Sequence, residues 1–125
     1  MTAFSNHAES QLLRHVLGVA AMTAVNTVYV QLHTGDPGED GTANVSAETE
    51  RKTITFTESG GTATTSGSAP SWTAWDSGAE TISHVSLWDA STAGNCLFKG
   101  ALTVSKPMTD GDTFELGNGS TIALD

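Results

Sequence analysis

The chain has 125 residues and sets 14 acidic against 5 basic side chains, for a formal net charge of −9. That length builds one domain around a single modest core and leaves no room for a second. The charge argues against a nucleic-acid ligand, which needs a basic patch to displace counterions from phosphates; no Lys or Arg occurs between Arg14 and Arg51. Ser and Thr supply about a quarter of positions, a composition that suits pleated surfaces kept soluble with few charges. Cys96 is the single cysteine, so neither an intrachain disulfide nor a cysteine metal cluster can form. The start "MTAFSNHAES" lacks the basic and apolar regions of a signal peptide, and no apolar run approaches the roughly 20 residues of a membrane span. A cytoplasmic origin with no membrane partner is expected.

Leu12, Leu13, Val16, Leu17 and Ala20 share one helical face, while Glu9, Arg14 and His15 take the rest. The spacing predicts a helix within residues 1–20, capped by Ser5 or Asn6, with Glu9 able to close a capping box on Asn6 and Gly18 as the stop. Its stripe needs a cover. Leu12, Leu13, Val16 and Leu17 are expected to close one end of the domain's own sheet or to pack into a neighbouring subunit.

From Thr27 the period changes to two, and strands are predicted across 27–125. "TVYVQLH" sets Val28, Val30 and Leu32 against Tyr29, Gln31 and His33, the pattern of a half-buried strand. "KTITFT" repeats the alternation with Ile54 and Phe56. Residues 58–78 carry little apolar signal before Trp72 and read as a polar loop or an edge hairpin around Gly60-Gly61. In "TISHVSLWDA" the phase slips between Ile82 and Val85, which predicts a bulge or a strand start near Ser83. "CLFKGALTV", "TFELGNG" and "STIALD" follow between Gly/Asn/Asp/Ser turns. Short strands at this spacing predict one all-β domain over 1–125, a β-sandwich of jelly-roll type with one N-terminal helix.

The constellations that could carry chemistry mostly reduce to turns. "LHTGDPGEDG" gathers Asp36, Glu39 and Asp40, but Pro37 and Gly38 stand where an EF-hand needs its second ligand, and three carboxylates would repel a phosphate. A Pro-fixed turn with Asp36 bonding its own downstream backbone is the expected structure, with weak calcium binding as the alternative. Asp110 and Asp112 bracket Gly111 as in a tight turn. No G-x-S-x-G elbow is present, Cys96 reads as a buried structural thiol, and His7, His15, His33 and His84 lack metal-ligand spacing. No catalytic residue, cofactor or metal is therefore assigned. Trp72 and Trp75, in polar surroundings, are the candidates for exposed contact with a partner protein or a glycan, whereas Trp88 reads as core or interface. Asn44-Val45-Ser46 and Asn118-Gly119-Ser120 match glycosylation sequons but lack a secretory context.

"MTAFSNHAESQLLRHVLG", "VYVQLHTGDPGEDG", "HVSLWDASTAGNCLFKGALTVSKPMTDGDTFEL" and the terminal "IALD" together resemble a family of short virion proteins of tailed bacteriophages and prophages, often labelled tail-fibre or structural proteins. The resemblance covers most of the chain and is poorest from Glu58 to Gly78; Gln31 and Ser86-Leu87-Trp88 depart from the usual pattern. It implies a structural role in a particle assembled in the host cytoplasm, with no catalytic residues to carry over. Because a domain of this length leaves nothing for a shaft, the expectation is a capsid decoration (cement) protein touching itself and the major capsid protein. A tail-associated or tail-fibre subunit is the alternative, and a carbohydrate-binding module using Trp72 and Trp75 a second. Analogy with jelly-roll virion subunits adds the expectation of a trimer.

Overall fold

A computed structural model describes residues 2–123; Leu124 and Asp125 of the predicted last strand lie outside the described residues. In chain order the elements are β1 (Thr2–Phe4), α1 (Asn6–Val16), β2 (Val28–His33), β3 (Lys52–Ser59), β4 (Thr62–Ser66), β5 (Ser71–Trp72), β6 (Glu80–Trp88), β7 (Cys96–Met108), β8 (Phe114–Glu115) and β9 (Thr121–Ala123). Seven strands form one antiparallel sheet in the order β1-β7-β6-β2-β3-β4-β9, and β5 pairs with β8 in a separate ribbon.

The all-β reading with one N-terminal helix therefore holds, but the jelly-roll sandwich does not. A sandwich needs two extended sheets stacked face to face. Here a single twisted sheet curls into a half-barrel, so that strands far apart in its order share one core. Val30 and Leu32 from β2, Ile54 from β3, Ile82 and Leu87 from β6 and Met108 from β7 line its inner face, and the β5–β8 ribbon adds Trp72 and Phe114. The indole of Trp72 meets the Phe114 ring edge-on, with centroids 5.7 Å apart.

Trp72 and Trp75 are each 2% exposed, which corrects the expectation that they project as contact platforms. The polar residues around them in sequence do not bring them to the surface, because each indole N–H finds a carbonyl indoors. Trp72 Nε1 donates to Glu50 O at 2.9 Å, and Trp75 Nε1 to Gly78 O at 2.9 Å. With the one polar atom paired, burying the rest of the ring is favourable.

Other local expectations are met with refinements. Residues 58–78 open with the β3–β4 hairpin, Ser59 facing Thr62 across Gly60 and Gly61 at φ +62° and +86°. Two successive positive φ values are what a two-residue turn of the right twist requires. β4 is not an edge, since β9 pairs along its other side. The phase slip near Ser83 is a real irregularity: His84 faces Ala101 and Ile82 faces Lys106, so Leu102 to Ser105 bulge out of β7 opposite Ser83. The helix is shorter than residues 1–20, because Thr2–Phe4 pair with Gly100–Phe98 as a strand before the helix begins.

Ser5, with extended backbone, accepts the Ala8 N–H at 3.1 Å and so is the cap. That places Glu9 one position too late for the capping box drawn on Asn6. Ser5 Oγ also donates to Cys96 O, and Ser5 N to Leu97 O at 2.9 Å, fastening the start of α1 to β7. At the other end Gly18, at φ +71°, turns the chain out of the helix as predicted.

Candidate functional site

The face of β2 and β6 opposite the core is polar, and it is buried. Antiparallel register sets Tyr29 opposite Trp88, Gln31 opposite Ser86 and His33 opposite His84, so these residues project to the same side. His33 and Ser86 are 0% exposed. Their hydrogen bonds form a chain whose polarity is fixed by its two ends. Trp88 Nε1 can only donate and reaches Ser86 Oγ at 2.7 Å; the Ala43 carbonyl can only accept and lies 2.9 Å from His33 Nδ1. His33 Nδ1 therefore carries the proton, and Nε2 accepts the Ser86 hydroxyl at 2.6 Å. Every atom is satisfied with a neutral imidazole. Burial pushes the His33 pKa down, outweighing the Ala43 and Asn44 backbone hydrogen bonds that raise it.

Arg51 closes this layer. Its guanidinium lies 3.8 Å from the centroid of the Trp88 ring, donates from Nη1 to Ala90 O at 2.9 Å and Ala93 O at 2.7 Å, and from Nε to Gln31 Oε1 at 3.2 Å. One side chain thus pins the β6–β7 turn onto β2. A Ser–His pair suggests nucleophilic chemistry, but this serine and histidine are sealed from solvent and their polar atoms are committed to each other and to the indole. The arrangement holds a turn in place. Cys96, 4% exposed, has its thiol pushed up to about 11 by burial, with the Arg51 charge opposing; it is protonated and inert at neutral pH, as a structural thiol should be.

The acidic loop is the turn that the sequence predicts. Asp36 Oδ1 accepts the Gly38 N–H at 2.9 Å, Pro37 is buried, and Asn44 Nδ2 donates to Asp36 O at 2.9 Å. Lys99 reaches over from β7 to Asp36 at 3.2 Å and Glu39 at 2.8 Å. The Gly38 amide and then Lys99 hold the Asp36 carboxyl below its usual range, and Glu39 followed by Asp36 raises Lys99. Among the described residues no group of three or more His, Cys, Asp and Glu side chains is placed to hold a metal. Gly41 has a packing role here: at φ +72°, a Cβ would fall 2.6 Å from Cys96 Sγ and 2.8 Å from Trp88 Cζ2. Asp110–Gly111–Asp112 is likewise a turn, where Asp112 Oδ2 accepts Thr109 N–H at 2.9 Å.

The helical stripe goes the other way. α1 touches the sheet through its N-terminal half, where Ala8 is its buried residue. Leu12 is half-buried, but Leu13, Val16 and Leu17 are 61%, 69% and 70% exposed. Within the chain the stripe does not close an end of the sheet. The structure brings Trp72 and Trp75 into the core and leaves Leu13, Val16 and Leu17 on the surface, so the six candidate contact residues do not form one site. His33, Ser86 and Arg51 are the residues that sequence reasoning left unassigned. The signal available for them was Gln31 and His33 lying on one strand face, with Ser86 and Trp88 spaced by two on another.

A polar cleft of about 630 Å³ opens between α1, the segment after it and the β6–β7 turn, with His7, Gln11, Tyr29 and Asp89 on its walls. Asp89 is already engaged, accepting Asn95 N–H at 2.7 Å and Asn95 Nδ2 at 2.9 Å. A search of curated proteins finds no match to the chain. A family model described as podophage GP4 fiber I protein gp80 matches residues 3–123, from the first strand to the last. Because the match spans both the exposed helix and the buried polar layer, the chain as a whole belongs to the podophage GP4 fiber I protein family.

Proposed function

We propose that this chain is a non-enzymatic structural subunit of a phage tail fibre, assembled with further copies of itself and with other virion proteins. The observation that carries this is the family match over residues 3–123, whose description is that of a fibre protein. It displaces the capsid-cement expectation. That expectation rested on the lack of a shaft, and the reasoning was too narrow: a short domain needs no shaft of its own when a fibre is built from several chains. The glycan-platform reading also loses its basis, since both tryptophans that carried it are buried.

The fold suits such a role. A hydrogen-bonded sheet with its polar layer satisfied internally is a rigid unit, and rigidity is what a fibre component contributes. Three copies around an axis remain the proposed assembly. Immunogold labelling of intact particles with antibodies to this chain tests the reading: gold on the tail is the expected result, and gold distributed over the head would return the chain to the capsid.

A further inference from the structure

The polar cleft between α1, the segment after it and the β6–β7 turn has two walls that are held in place independently. On one side the turn is fixed from several directions. Arg51 binds the carbonyls of Ala90 and Ala93, and Ala93 itself sits at φ +54° although it carries a Cβ. Gly94, at φ +76°, leaves room for the Asp89 carboxylate, whose Oδ1 would lie 2.5 Å from a Cβ there. Left-handed backbone at a residue with a side chain persists only where its surroundings over-determine it. On the other side the chain leaving α1 is tied back to the helix. Val19 N and Ala20 N donate to Arg14 O at 2.8 and 3.1 Å, and Met22 N donates to His15 Nδ1 at 3.1 Å.

The polar groups of the cleft are positioned but not used up. A carboxylate offers about four lone-pair sites, and Asp89 spends two of them on Asn95. Burial pushes the Asp89 pKa up, but the Asn95 backbone and side-chain hydrogen bonds outweigh it, so the carboxyl lies below its ordinary value and is ionised at neutral pH. Half-buried His7, Gln11 and Tyr29 line the same cleft, and no side-chain hydrogen bond among the described residues involves them. His33, Ser86 and Trp88, by contrast, are all committed to one another. Met22 and Val25 add apolar surface from the tied-back segment.

These walls select a ligand chemistry. A volume of about 630 Å³ suits a small molecule, for which sites run to about 300–1,000 Å³. The described residues that line the cleft include no Lys or Arg, and Asp89 is negative, so an anion would be repelled. A wholly apolar ligand would strip water from Asp89, His7 and Gln11 without replacing it. A neutral polyol meets both conditions. Two adjacent hydroxyls fill the remaining lone pairs of Asp89, the imidazole and amide bond further hydroxyls, and the C–H face of a pyranose ring rests on Met22, Val25 and the Tyr29 ring.

We infer that this cleft is a binding site for a neutral sugar, with Asp89 as the anchor of a vicinal diol. It lies apart from Trp72 and Trp75, which belong to the core, and it stands independently of the fibre reading. Asp89 is the only carboxylate among the described lining residues, whereas glycosidic cleavage takes two, so the site holds a sugar without cutting it.

Amide chemical shifts of the isotope-labelled full chain, titrated with the methyl pyranosides of glucose, galactose, mannose and rhamnose and separately with glucuronate, test the inference. The four neutral sugars between them present cis and trans vicinal diols. The expected result is saturable shifts in residues 22–27 and 89–95 with at least one of them, at a dissociation constant of about 1 mM, and none with glucuronate. Gln11→Ala should weaken binding about fivefold, the worth of one neutral hydrogen bond, while melting like the wild type. Asp89→Ala should abolish binding, and Val104→Ser, 77% exposed on the β7 bulge, should leave it unchanged. An absence of saturable shifts with all four neutral sugars, equal binding of glucuronate, or an unaltered constant in Gln11→Ala overturns the inference. Each of these results leaves a tail location by immunogold untouched, so failure here and failure of the fibre reading are separable.

Discussion

The buried layer around His33 and the exposed strip after Leu13 invert the usual arrangement of a globular domain, with polar groups inside and aliphatic groups outside. In the first, each donor meets an acceptor from the same chain, so burial costs little. In the second, the described residues leave Leu13, Val16 and Leu17 uncovered. The lesson is that a polar side chain is buried at little cost where its partners are present, while an apolar stripe stays exposed where no described residue folds back over it.

The sharpest way to break that comparison is to damage the interior. Trp75 is 2% exposed and its indole N–H is bound at 2.9 Å, so Trp75→Ala removes a large ring and orphans the Gly78 carbonyl. A loss of about 3–5 kcal/mol is expected in urea unfolding, enough to unfold a marginal domain. Arg51→Met comes next. It keeps the aliphatic stem but releases the carbonyls of Ala90 and Ala93 and the stacking on Trp88, for a loss of about 2 kcal/mol by the same measurement.

A smaller effect follows from protonation. The folded pKa of His33 lies below its ordinary value of 6.5, so the unfolded chain takes up the proton first. The stability that His33 contributes is complete above pH 6.5 and declines as pH falls from there toward the folded value. Physically, a protonated Nε2 would leave the Ser86 hydroxyl without its acceptor. Urea midpoints measured downward from pH 7 should fall over this window in the wild type and stay flatter in His33→Gln. The depressed carboxyl of Asp36 contributes in a separate window, since its stabilisation is lost only as pH drops below its ordinary 3.8. The smallest effect belongs to the exposed region. Leu13→Ser in dilute monomer should change unfolding free energy by less than about 0.5 kcal/mol, because its side chain is 61% exposed.

How much of this was legible in the sequence depends on whether the deciding contacts were local. The cap, the Gly18 stop, the Gly60-Gly61 hairpin, the slip at Ser83 and the Asp36 turn are set by residues a few positions apart, and each can be read from side-chain chemistry and period. β1 escaped because three residues pair only with a strand almost a hundred positions away. The half-barrel escaped because curl is a property of the whole sheet. His33 looked like a solvent-facing residue on an alternating strand, and only the return of the 34–46 segment over that face buries it. Trp72 and Trp75 misled for the same reason: their polar neighbours in sequence are not their neighbours in space. The helical stripe was legible as apolar, but its exposure was not, because α1 meets the sheet through its N-terminal half around Ala8.

Hydroxyl-radical footprinting of the isolated chain measures both halves of the comparison at once. The account predicts that Trp75 and His33 are protected, while Leu13, Val16, Leu17 and Met22 react strongly. Protection of those four residues equal to that of Trp75 would contradict it.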